Sequence, residues 1–408
     1  MAALSFPKEK IKILLLEGVH PAAIERFKEA GYTAESLPHA LNERELVEAV
    51  RSVHLLGIRS ATQVTPQVLT AAKNLIALGC FCIGTNQVAL EDAARGGVAV
   101  FNAPFSNTRS VAELAMAEIV MLARRAAQKS MEVHAGTWDK SAKGCFEVRH
   151  KTIGIIGYGH IGPQVGLLAE AFGMKVYFYD IVPKLPLGNA ESVGSLRELL
   201  AKVDVVTLHV PETPQTRNMI GQAELASMRP GSFLLNLSRG SVVDIGALHG
   251  ALTTGHLAGA AIDVFPKEPK SNEELFESPL RGLDNVILTP HIGGSTFEAQ
   301  RNIGLEVANA LIKYSDTGST TGAVNFPQVE LPILTDSHRI LNIHRNVPGV
   351  LRDINRLIAE MGGNIKSQYL STTNDIGYLI TDVDRSISGA VKDKIESLDT
   401  SIRTRILF

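Results

Sequence analysis

Cysteine is scarce in this chain of 408 residues, and its three cysteines suggest neither a disulfide framework nor a metal site. Cys80 and Cys82 are too close in sequence for an ordinary disulfide, and Cys145 stands alone. No second cysteine pair supports zinc binding. We therefore expect reduced thiols, as in a cytoplasmic protein, and no bound metal.

Long apolar runs and an excess of one charge are also missing. No stretch approaches the length of a membrane span, and the apolar run at 11–16 has only strand length. The net charge of −2 gives no electrostatic attraction to nucleic acid or to an anionic membrane. We expect neither as a partner, and the length predicts two or three domains.

The stretch 151–180 carries the most informative motif. It reads KTIGIIGYGHIGPQVGLLAEAFGMKVYFYD, with two apolar runs of strand length on either side of a G-x-G-x-x-G turn and an apolar-periodic helix. In a dinucleotide-binding turn, Gly157 permits the tight bend, Gly159 lets the backbone approach a pyrophosphate, and Gly162 lets the helix lie close to the strand. The N-terminus of the helix then offers N–H groups to the phosphates.

Asp180, at the end of the second apolar run, indicates which cofactor binds. A carboxylate there accepts hydrogen bonds from the adenosine ribose and repels a 2′-phosphate, which favours NAD over NADP.

Pro163 follows the third glycine and is tolerable only in the first helical turn. A structural βα turn without a cofactor is the alternative, but strand, glycines, helix, second strand and acid all occur in order.

Short apolar runs alternate with helical patterns through the first 330 residues, as is typical of parallel α/β sheets. Strands are expected at 11–16, 54–58, 75–78, 98–101, 203–209, 232–237, 259–264 and 286–289. Helices are expected at 21–30, 43–50, 110–130 and 296–314. The last helix can return the chain to the first lobe. The sequence thus predicts two Rossmann-like lobes, with an NAD domain at 108–294 inserted into a flavodoxin-like substrate domain at 1–107 and 295–330.

The C-terminal part has a different pattern, which follows a Gly-, Thr- and Pro-rich linker at 317–332. Strands are expected at 339–344, 365–372, 377–383 and 402–408, and helices at 349–362 and 386–398. The order βαββαβ predicts a small ferredoxin-like domain at 336–408.

Three polar residues, Arg239, Glu268 and His291, follow predicted strands of the dinucleotide lobe. Ligands of an open parallel sheet bind outside the carboxyl ends of its strands, so these side chains can converge on a nicotinamide. Hydride transfer to a 2-keto acid needs a proton donor, which suits His291, and a carboxylate that keeps the imidazole protonated, which suits Glu268. The substrate carboxylate needs a cationic fork, which suits Arg239.

Each of these residues also admits a structural interpretation. Arg239 and Glu268 could form a surface salt bridge, and His291 could be a buried capping imidazole. Their occurrence together, after a dinucleotide motif, favours catalysis. Asp263 ends a predicted strand and could either hydrogen-bond the nicotinamide amide or cap a turn.

These residues and their surroundings resemble the D-isomer-specific 2-hydroxyacid dehydrogenases over essentially the whole chain. The resemblance rests on the segments GYGHIG, FYD at 178–180, TLHVPET at 207–213, LNLSRG at 235–240, AAIDVFPKEP at 260–269 and LTPHIGGST at 288–296. It implies that Arg239, Glu268 and His291 are catalytic. It also implies NAD contacts at Thr108, Gly157, Gly159, His160, Ile161, Gly162, Asp180, Leu237, Ser238, Arg239, Asp263, His291, Ile292, Gly293 and Gly294.

Within the family, the chain resembles bacterial members with a C-terminal ACT domain that oxidise 3-phospho-D-glycerate to 3-phosphohydroxypyruvate in L-serine biosynthesis. The resemblance implies a homotetramer and substrate contacts at Arg59, Ser60, Ile83, Gly84, Asn107 and Lys140. It implies feedback inhibition by L-serine bound at His344, Asn346 and Asn364. Reduction of 2-oxoglutarate to 2-hydroxyglutarate is a further expected activity, because a distal carboxylate could replace the phosphate. The segment 336–339 reads DSHR and lacks the glycine pair that bacterial members often carry there.

Three other functions stay open. A dehydrogenase for another 2-hydroxy acid, such as glycerate or lactate, is disfavoured by Arg59 and by the C-terminal domain. A redox-sensing binding protein without chemistry is disfavoured by the full set of Arg239, Glu268 and His291. A regulatory amino-acid sensor would account for the C-terminal domain only.

Overall fold

The computed structural model describes residues 7–269, 273–332 and 336–407. The chain divides into two compact units: Asn107–Ala299 forms one, and Met1–Ser106 together with Gln300–Phe408 forms the other. Each unit contains a parallel sheet with helices, so the predicted α/β class is confirmed. Within the described residues, no helix is both long enough and apolar enough to cross a membrane.

The first unit, which contains both chain termini, begins with a five-stranded parallel sheet. Its strands are β1 (Ile13–Leu15), β2 (Ala34–Ser36), β3 (Leu55–Ile58), β4 (Ala77–Cys80) and β5 (Ala99–Asn102). The helices beside it are α1 (Pro21–Glu29), α2 (Glu43–Ala49), α3 (Pro66–Ala71) and α4 (Leu90–Arg95). The spatial order β2-β1-β3-β4-β5 is that of a flavodoxin-like sheet, as predicted. Edge strand β2 was not predicted because its sequence, AES, contains no apolar run.

The second unit, Asn107–Ala299, holds a seven-stranded parallel sheet. Its strands are β6 (Thr152–Ile156), β7 (Lys175–Tyr179), β8 (Glu191–Ser192), β9 (Val205–Leu208), β10 (Ser232–Asn236), β11 (Leu257–Ile262) and β12 (Val286–Leu288). Its helices are α5 (Thr108–Arg124), α6 (Ala126–His134), α7 (Ile161–Ala171), α8 (Leu196–Lys202), α9 (Gln222–Ser227) and α10 (Ile245–Thr253). The order β12-β11-β10-β9-β6-β7-β8 is the doubly wound order of dinucleotide-binding domains, with one additional edge strand.

Helices cover both faces of this second sheet. Val111 of α5 and Val165 of α7 pack on one face, and Leu199 of α8 and Leu248 of α10 pack on the other. Parallel strands covered on both faces show no alternation of buried and exposed residues, and every residue of the central strands β9 and β10 is buried. The polar residues that follow these strands therefore lie at the edge of the sheet, where its ligands are expected.

The single helix expected at 110–130 is wrong, because two helices occupy this segment. Helix α5 ends at Arg124 and α6 begins at Ala126. Arg125 between them has φ 52° and ψ 31°, a left-handed conformation that ends an α-helix. Its Nε donates to Gln128 Oε1 at 2.8 Å, which holds the break. No glycine or proline marks this position, so the sequence gives no stop signal.

The first unit ends with helix α11 (Phe297–Thr317) and a four-stranded antiparallel sheet. The strands are β13 (His338–Arg345), β14 (Ile365–Thr372), β15 (Ile376–Val383) and β16 (Ser401–Leu407). The helices are α12 (Val350–Glu360) and α13 (Ser388–Glu396). The chain order βαββαβ and the spatial order β14-β15-β13-β16 confirm the predicted ferredoxin-like domain.

One face of this antiparallel sheet packs into the core of the first unit. Leu341 of β13 and Tyr378 of β15 belong to the same buried cluster as Phe27 of α1 and Leu311 of α11. The Tyr378 hydroxyl donates to the carbonyl oxygen of Gly318 at 2.6 Å. The other face carries α12 and α13. The C-terminal domain is thus docked through a shared apolar core.

A buried arginine reinforces this docking. Arg339 Nε and Nη2 donate to the two carboxylate oxygens of Asp382 at 2.8 and 2.9 Å. Nη1 donates to the carbonyl oxygens of Thr317 and Leu331 at 3.1 and 3.2 Å. The two charged side chains are 7% and 1% exposed. Arg339 therefore ties β13 and β15 to the end of α11 and to the linker.

Replacing Asp382 by asparagine should destabilise the first unit, because it leaves the Arg339 guanidinium buried without a counter-charge. Removing one partner of a buried pair costs about 3–5 kcal/mol. The midpoint of urea unfolding should fall accordingly. The matched control is Asp353→Asn, since Asp353 pairs with an exposed arginine and its loss should cost at most about 1 kcal/mol. Equal shifts for the two variants would contradict this account.

Candidate active site

The glycine-rich turn after β6 has the geometry that a dinucleotide requires. Gly157 has φ +90°, and a Cβ there would lie 2.4 Å from the carbonyl oxygen of His209. A Cβ on Gly162 would lie 2.5 Å from the carbonyl oxygen of Gly157, so strand and helix approach too closely for any side chain. At Gly159, no described atom lies within 4 Å of the Cβ position. The turn is therefore open to a ligand at its tip.

Helix α7 begins directly behind this turn. His160 is its N-cap residue and Ile161 its first residue, so Pro163 lies in the first turn, as the sequence requires. Asp180 follows β7, and its two carboxylate oxygens accept the backbone N–H groups of Tyr158 and Val182 at 2.8 and 2.9 Å. This fixed carboxylate, the open turn and the helix N-terminus together fit NAD.

The three predicted catalytic residues follow three adjacent strands. Arg239 comes after β10, Glu268 after β11 and His291 after β12. These strands are parallel neighbours, so their carboxyl ends lie at one edge of the sheet. His291 Nδ1 lies 2.8 Å from Glu268 Oε2. The structure thus joins Glu268 and His291 directly.

The His291–Glu268 pair favours the charged form of both side chains. The hydrogen bond to Glu268 raises the pKa of His291, and this outweighs the opposing effect of burial and of the Arg239 charge. Burial pushes the pKa of Glu268 upward, but its hydrogen bond and charge interaction with His291 leave that pKa below the ordinary value. The pair therefore favours an imidazolium beside a carboxylate.

Arg239 is positioned through backbone packing. The buried side chain of Asn236 donates to the carbonyl oxygen of Arg239 at 3.0 Å and accepts from the Ser238 N–H at 3.1 Å. A Cβ on Gly240 would lie 2.0 Å from the carbonyl carbon of Phe265, so only glycine permits this approach. Phe265 N–H in turn donates to Glu268 Oε1 at 3.1 Å. Arg239 and Glu268 therefore belong to one packed assembly, and both influence the pKa of His291.

Asp263 holds the segment that carries His291. Its Oδ1 accepts from Ile292 N–H at 2.8 Å and from the Thr289 hydroxyl at 2.7 Å, and its Oδ2 accepts from Gly293 N–H at 2.9 Å. Its backbone oxygen accepts from His291 N–H at 2.8 Å. These contacts favour a role for Asp263 as the cap of this turn over a role as a partner of the nicotinamide amide.

The remaining predicted NAD and substrate residues of the second unit have different environments. Leu237 and Ser238 precede Arg239 and are buried. Asn107 is the N-cap residue of α5, and Thr108 is its first residue. A Cβ on Gly294 would lie 2.3 Å from Asn107 Nδ2, so these residues are in close contact. Lys140 is exposed in the segment after α6 and is not among the contacts of the His291–Glu268 pair.

In the first unit, the predicted substrate residues follow two adjacent strands, β3 and β4. Arg59 and Ser60 follow β3, and Ile83 and Gly84 follow β4. Glu17 holds the segment after β3: its carboxylate accepts the N–H groups of Arg59, Ala61 and Thr62 at 3.0, 2.9 and 2.9 Å.

The three predicted serine-binding residues have different environments. His344 is 2% exposed, its Nδ1 lies 2.9 Å from Asn342 Oδ1, and burial lowers its pKa. Asn346 is exposed and donates to the carbonyl oxygen of Thr373 at 2.8 Å. Asn364 is exposed, and its N–H lies 3.4 Å from Asp384 Oδ2. Within the described chain, no contact joins these three side chains.

Sequence reasoning missed several residues that support the site. Asn236, Gly240 and Thr289 lie inside or beside the quoted motifs, but their roles depend on contacts between separate strand ends. Glu17 had no motif around it. Glu118 had one signal, an acid on the apolar face of the predicted helix, four residues after Leu114.

Replacing Glu268 by glutamine should lower the pKa of His291. The carboxylate is the main cause that raises this pKa, so the imidazole of the variant should lose its proton at lower pH. An NMR titration of the His291 ring measures this directly. The control Glu147→Gln removes an exposed carboxylate, and it should leave the titration unchanged. An unchanged His291 titration in the Glu268 variant would show that the hydrogen bond does not set the pKa.

Comparisons with known proteins agree with this geometry. The family model "D-isomer specific 2-hydroxyacid dehydrogenase, NAD binding domain" matches residues 116–293, and a model of an AHAS small subunit-like ACT domain matches residues 340–403. The D-3-phosphoglycerate dehydrogenase of Escherichia coli (strain K12) is 55% identical over 411 residues, covering 100% of both chains. The D-3-phosphoglycerate dehydrogenase of Dictyostelium discoideum is 52% identical over 404 residues, covering 99% of both.

A solved structure of D-lactate dehydrogenase from Aquifex aeolicus, complexed with NAD and lactic acid, has the same fold. Its TM-score is 0.67 at 27% identity, and the match covers 78% of this chain and 100% of that one. With relatives more than half identical along its whole length, the chain belongs to the NAD-dependent, D-isomer-specific 2-hydroxyacid dehydrogenases.

Proposed function

We propose that the chain oxidises 3-phospho-D-glycerate to 3-phosphohydroxypyruvate with NAD, the first step of L-serine biosynthesis. Full-length identity above 50% to proteins named D-3-phosphoglycerate dehydrogenase supports the substrate. The observation that carries the chemistry is the contact of 2.8 Å between His291 Nδ1 and Glu268 Oε2, beside Arg239.

The proposed reaction assigns a role to each part of the chain. We assign NAD binding to 108–294, substrate binding to 1–107 with 295–330, and regulation to 336–408. The glycine-rich turn and Asp180 lie in the first of these, and the segment held by Glu17 lies in the second. When bound, NAD supplies the acceptor for the hydride that leaves the substrate carbon.

His291 is the proposed general acid and base. Its Nδ1 faces Glu268, so Nε2 is the ring nitrogen left to face the substrate. In oxidation, neutral His291 accepts the hydroxyl proton at Nε2, and the imidazolium that forms is stabilised by Glu268. In reduction, the same Nε2–H donates its proton to the carbonyl oxygen.

Arg239 is the proposed substrate clamp. Its guanidinium can bind the substrate carboxylate with two parallel hydrogen bonds and can polarise the reacting C–O bond. Nη1 already donates to the Ser238 carbonyl oxygen at 2.7 Å, which restricts the rotation of the fork. A fixed cation in this position favours the build-up of negative charge on the substrate oxygen.

The substrate phosphate is assigned to Arg59, with Lys140 as a second candidate. The backbone N–H groups around Ile83 and Gly84 are assigned to the substrate carboxylate, and Ser60 and Asn107 are further substrate contacts. Glu17 already accepts the backbone N–H groups of Arg59, Ala61 and Thr62, and the Arg59 guanidinium is the charged group that this segment offers to the phosphate. A compound with a carboxylate in place of the phosphate satisfies the same cation. Reduction of 2-oxoglutarate is therefore the proposed side activity.

The C-terminal domain is the proposed effector site. The match to an ACT domain model supports amino-acid binding, with L-serine at His344, Asn346 and Asn364 and with feedback inhibition as the result. Because these side chains do not touch one another within the described chain, we assign the complete site to a pair of such domains in a homotetramer.

Replacing His291 by asparagine should lower kcat by a factor of about 10²–10⁴, because general acid–base catalysis is lost. NADH oxidation with 3-phosphohydroxypyruvate measures the turnover, and the change in NADH fluorescence on binding measures cofactor affinity, which should persist. His134→Asn is the matched control, since His134 is an exposed histidine on α6. Wild-type-like turnover of the His291 variant would refute its assignment, and an inactive wild type that still binds NADH would favour the redox-sensing binding protein.

Replacing Arg59 by alanine should raise KM for the phosphorylated substrate by a factor of about 10–100, the size of a lost charged hydrogen bond. The KM for NADH should not change. Arg44→Ala, which removes an exposed arginine of α2, serves as the control. The phosphate assignment fails if wild type turns over pyruvate or glyoxylate as efficiently as 3-phosphohydroxypyruvate and Arg59→Ala leaves the KM of each substrate unchanged.

A further inference from the structure

One buried carboxyl group of the second unit has no role in the reaction described above. Glu118 lies on α5 with only 1% of its surface exposed. Its Oε1 lies 3.5 Å from Thr289 Oγ1, and its Oε2 is buried without a hydrogen-bond partner among the described residues. An ionised carboxylate buried with so few donors would be poorly stabilised.

The hydroxyl of Thr289 connects Glu118 to the active site. A hydroxyl has one hydrogen, and the Thr289 hydroxyl donates it to Asp263 Oδ1 at 2.7 Å. Toward Glu118 the same oxygen can then act only as an acceptor. An acceptor facing a carboxyl group forms a hydrogen bond only when that carboxyl group carries its proton.

Asp263, at the other end of this connection, holds the segment that bears His291. Its two oxygens also accept the N–H groups of Ile292 and Gly293 at 2.8 and 2.9 Å. Asp263 therefore has three donors at 2.7 to 2.9 Å, whereas the Thr289 hydroxyl lies 3.5 Å from Glu118 Oε1 and directs its hydrogen to Asp263. The geometry places the charge on Asp263 and the proton on Glu118.

We propose that Glu118 is a positioning residue for His291, protonated at neutral pH and hydrogen-bonded through Thr289 to Asp263. This inference deepens the proposed function, and its activity test rests on that function. When Glu118 is neutral, Asp263 alone of these two residues is charged, and it keeps its hydrogen bonds to the segment 289–293. In the ionised form, two carboxylates compete for the single Thr289 hydrogen, and the hold on the segment weakens.

The electrostatic environment agrees with this assignment. Burial raises the pKa of Glu118 to about 8, and the charge of Asp263 adds to the rise. A hydrogen bond donated by Thr289 lowers this pKa, but the Thr289 hydrogen is directed to Asp263. The same Asp263 charge also raises the pKa of His291, while Arg239 lowers it.

Among the described residues, the other elements that pack on α5 bring no positive charge to Glu118. Strands β10, β11 and β12 have no titratable side chain within their bounds. On α7, the carboxylate of Glu170 accepts from Asn189 N–H at 3.1 Å. On α6, Lys129 and Glu132 pair with each other at 3.1 Å. Asp263 is thus the charge that Glu118 faces across the helix–sheet contact.

The pH dependence of substrate oxidation distinguishes this role from that of His291. Oxidation requires neutral His291, so the deprotonation of His291 raises the rate as pH increases. Ionisation of Glu118 has the opposite sign and should lower the rate above about pH 8. A decline of kcat/KM on the alkaline side therefore reports on Glu118.

The first experiment compares wild type with Glu118→Gln, which keeps the shape of a neutral carboxyl group. With 3-phospho-D-glycerate and NAD, kcat/KM of wild type should fall several-fold above pH 8, and that of the variant should not. The control Glu113→Gln changes an exposed glutamate of the same helix and should behave like wild type. Superposable profiles for wild type and Glu118→Gln would overturn the proposal.

A second readout needs no substrate. Because burial raises the pKa of Glu118 from 4.5 to about 8, the folded protein keeps a proton that the unfolded chain loses in this interval. The unfolding temperature of wild type should therefore fall relative to that of Glu118→Gln as pH rises from 5 to 8. A difference that is independent of pH would overturn the proposal, even if the assumed substrate is not turned over.

Should Glu118→Gln fail to fold, the wild-type protein still provides a test. Its infrared spectrum at pH 7 should contain the C=O band of a protonated carboxylic acid, which should disappear above about pH 8. Absence of that band at pH 7 would mean that Glu118 is ionised, and it would overturn the proposal.

Discussion

The active-site geometry depends on the hydrogen bonds that Asp263 makes with the segment following β12. His291 in this segment has φ +53°, a left-handed conformation that costs a non-glycine residue on the order of 1–3 kcal/mol. The side chain of Asp263 accepts from Thr289, Ile292 and Gly293, and its backbone oxygen accepts from His291 itself. These bonds offset the cost and direct the imidazole to Glu268.

The first unit repeats this arrangement around Glu17. Glu17 has φ +66°, and its carboxylate accepts the N–H groups of Arg59, Ala61 and Thr62 in the segment after β3. In both units a carboxylate at the carboxyl edge of a parallel sheet determines the course of a neighbouring segment. The residues proposed to meet the substrate, Arg59 and His291, lie on these two segments.

The C-terminal domain is fixed by a different means. Its sheet shares an apolar core with α1 and α11, and Arg339 joins the buried Asp382 to the carbonyl oxygens of Thr317 and Leu331. The segment before β13 has no glycine. The C-terminal domain is therefore docked on α1 and α11 through this core and through the Arg339 contacts.

The sequence predicted the parts of the molecule that depend on local pattern. The dinucleotide turn, the βαββαβ order and the succession of Arg239, Glu268 and His291 after strands follow from glycine spacing and apolar periodicity. The break at Arg125 and the edge strand β2 leave no such pattern. The roles of Thr289 and Glu118 depend on contacts between a helix and strand ends far apart in the chain, which no local pattern encodes.

The most direct test of the account is the pH dependence of kcat/KM for wild type in both reaction directions. If His291 is the group that transfers the proton, oxidation should rise and reduction should fall around one common pKa. This pKa should lie above the ordinary imidazole value, because Glu268 raises it. Below about pH 8, where Glu118 keeps its proton, profiles that change in the same direction, or a common pKa at or below the ordinary value, would contradict the account.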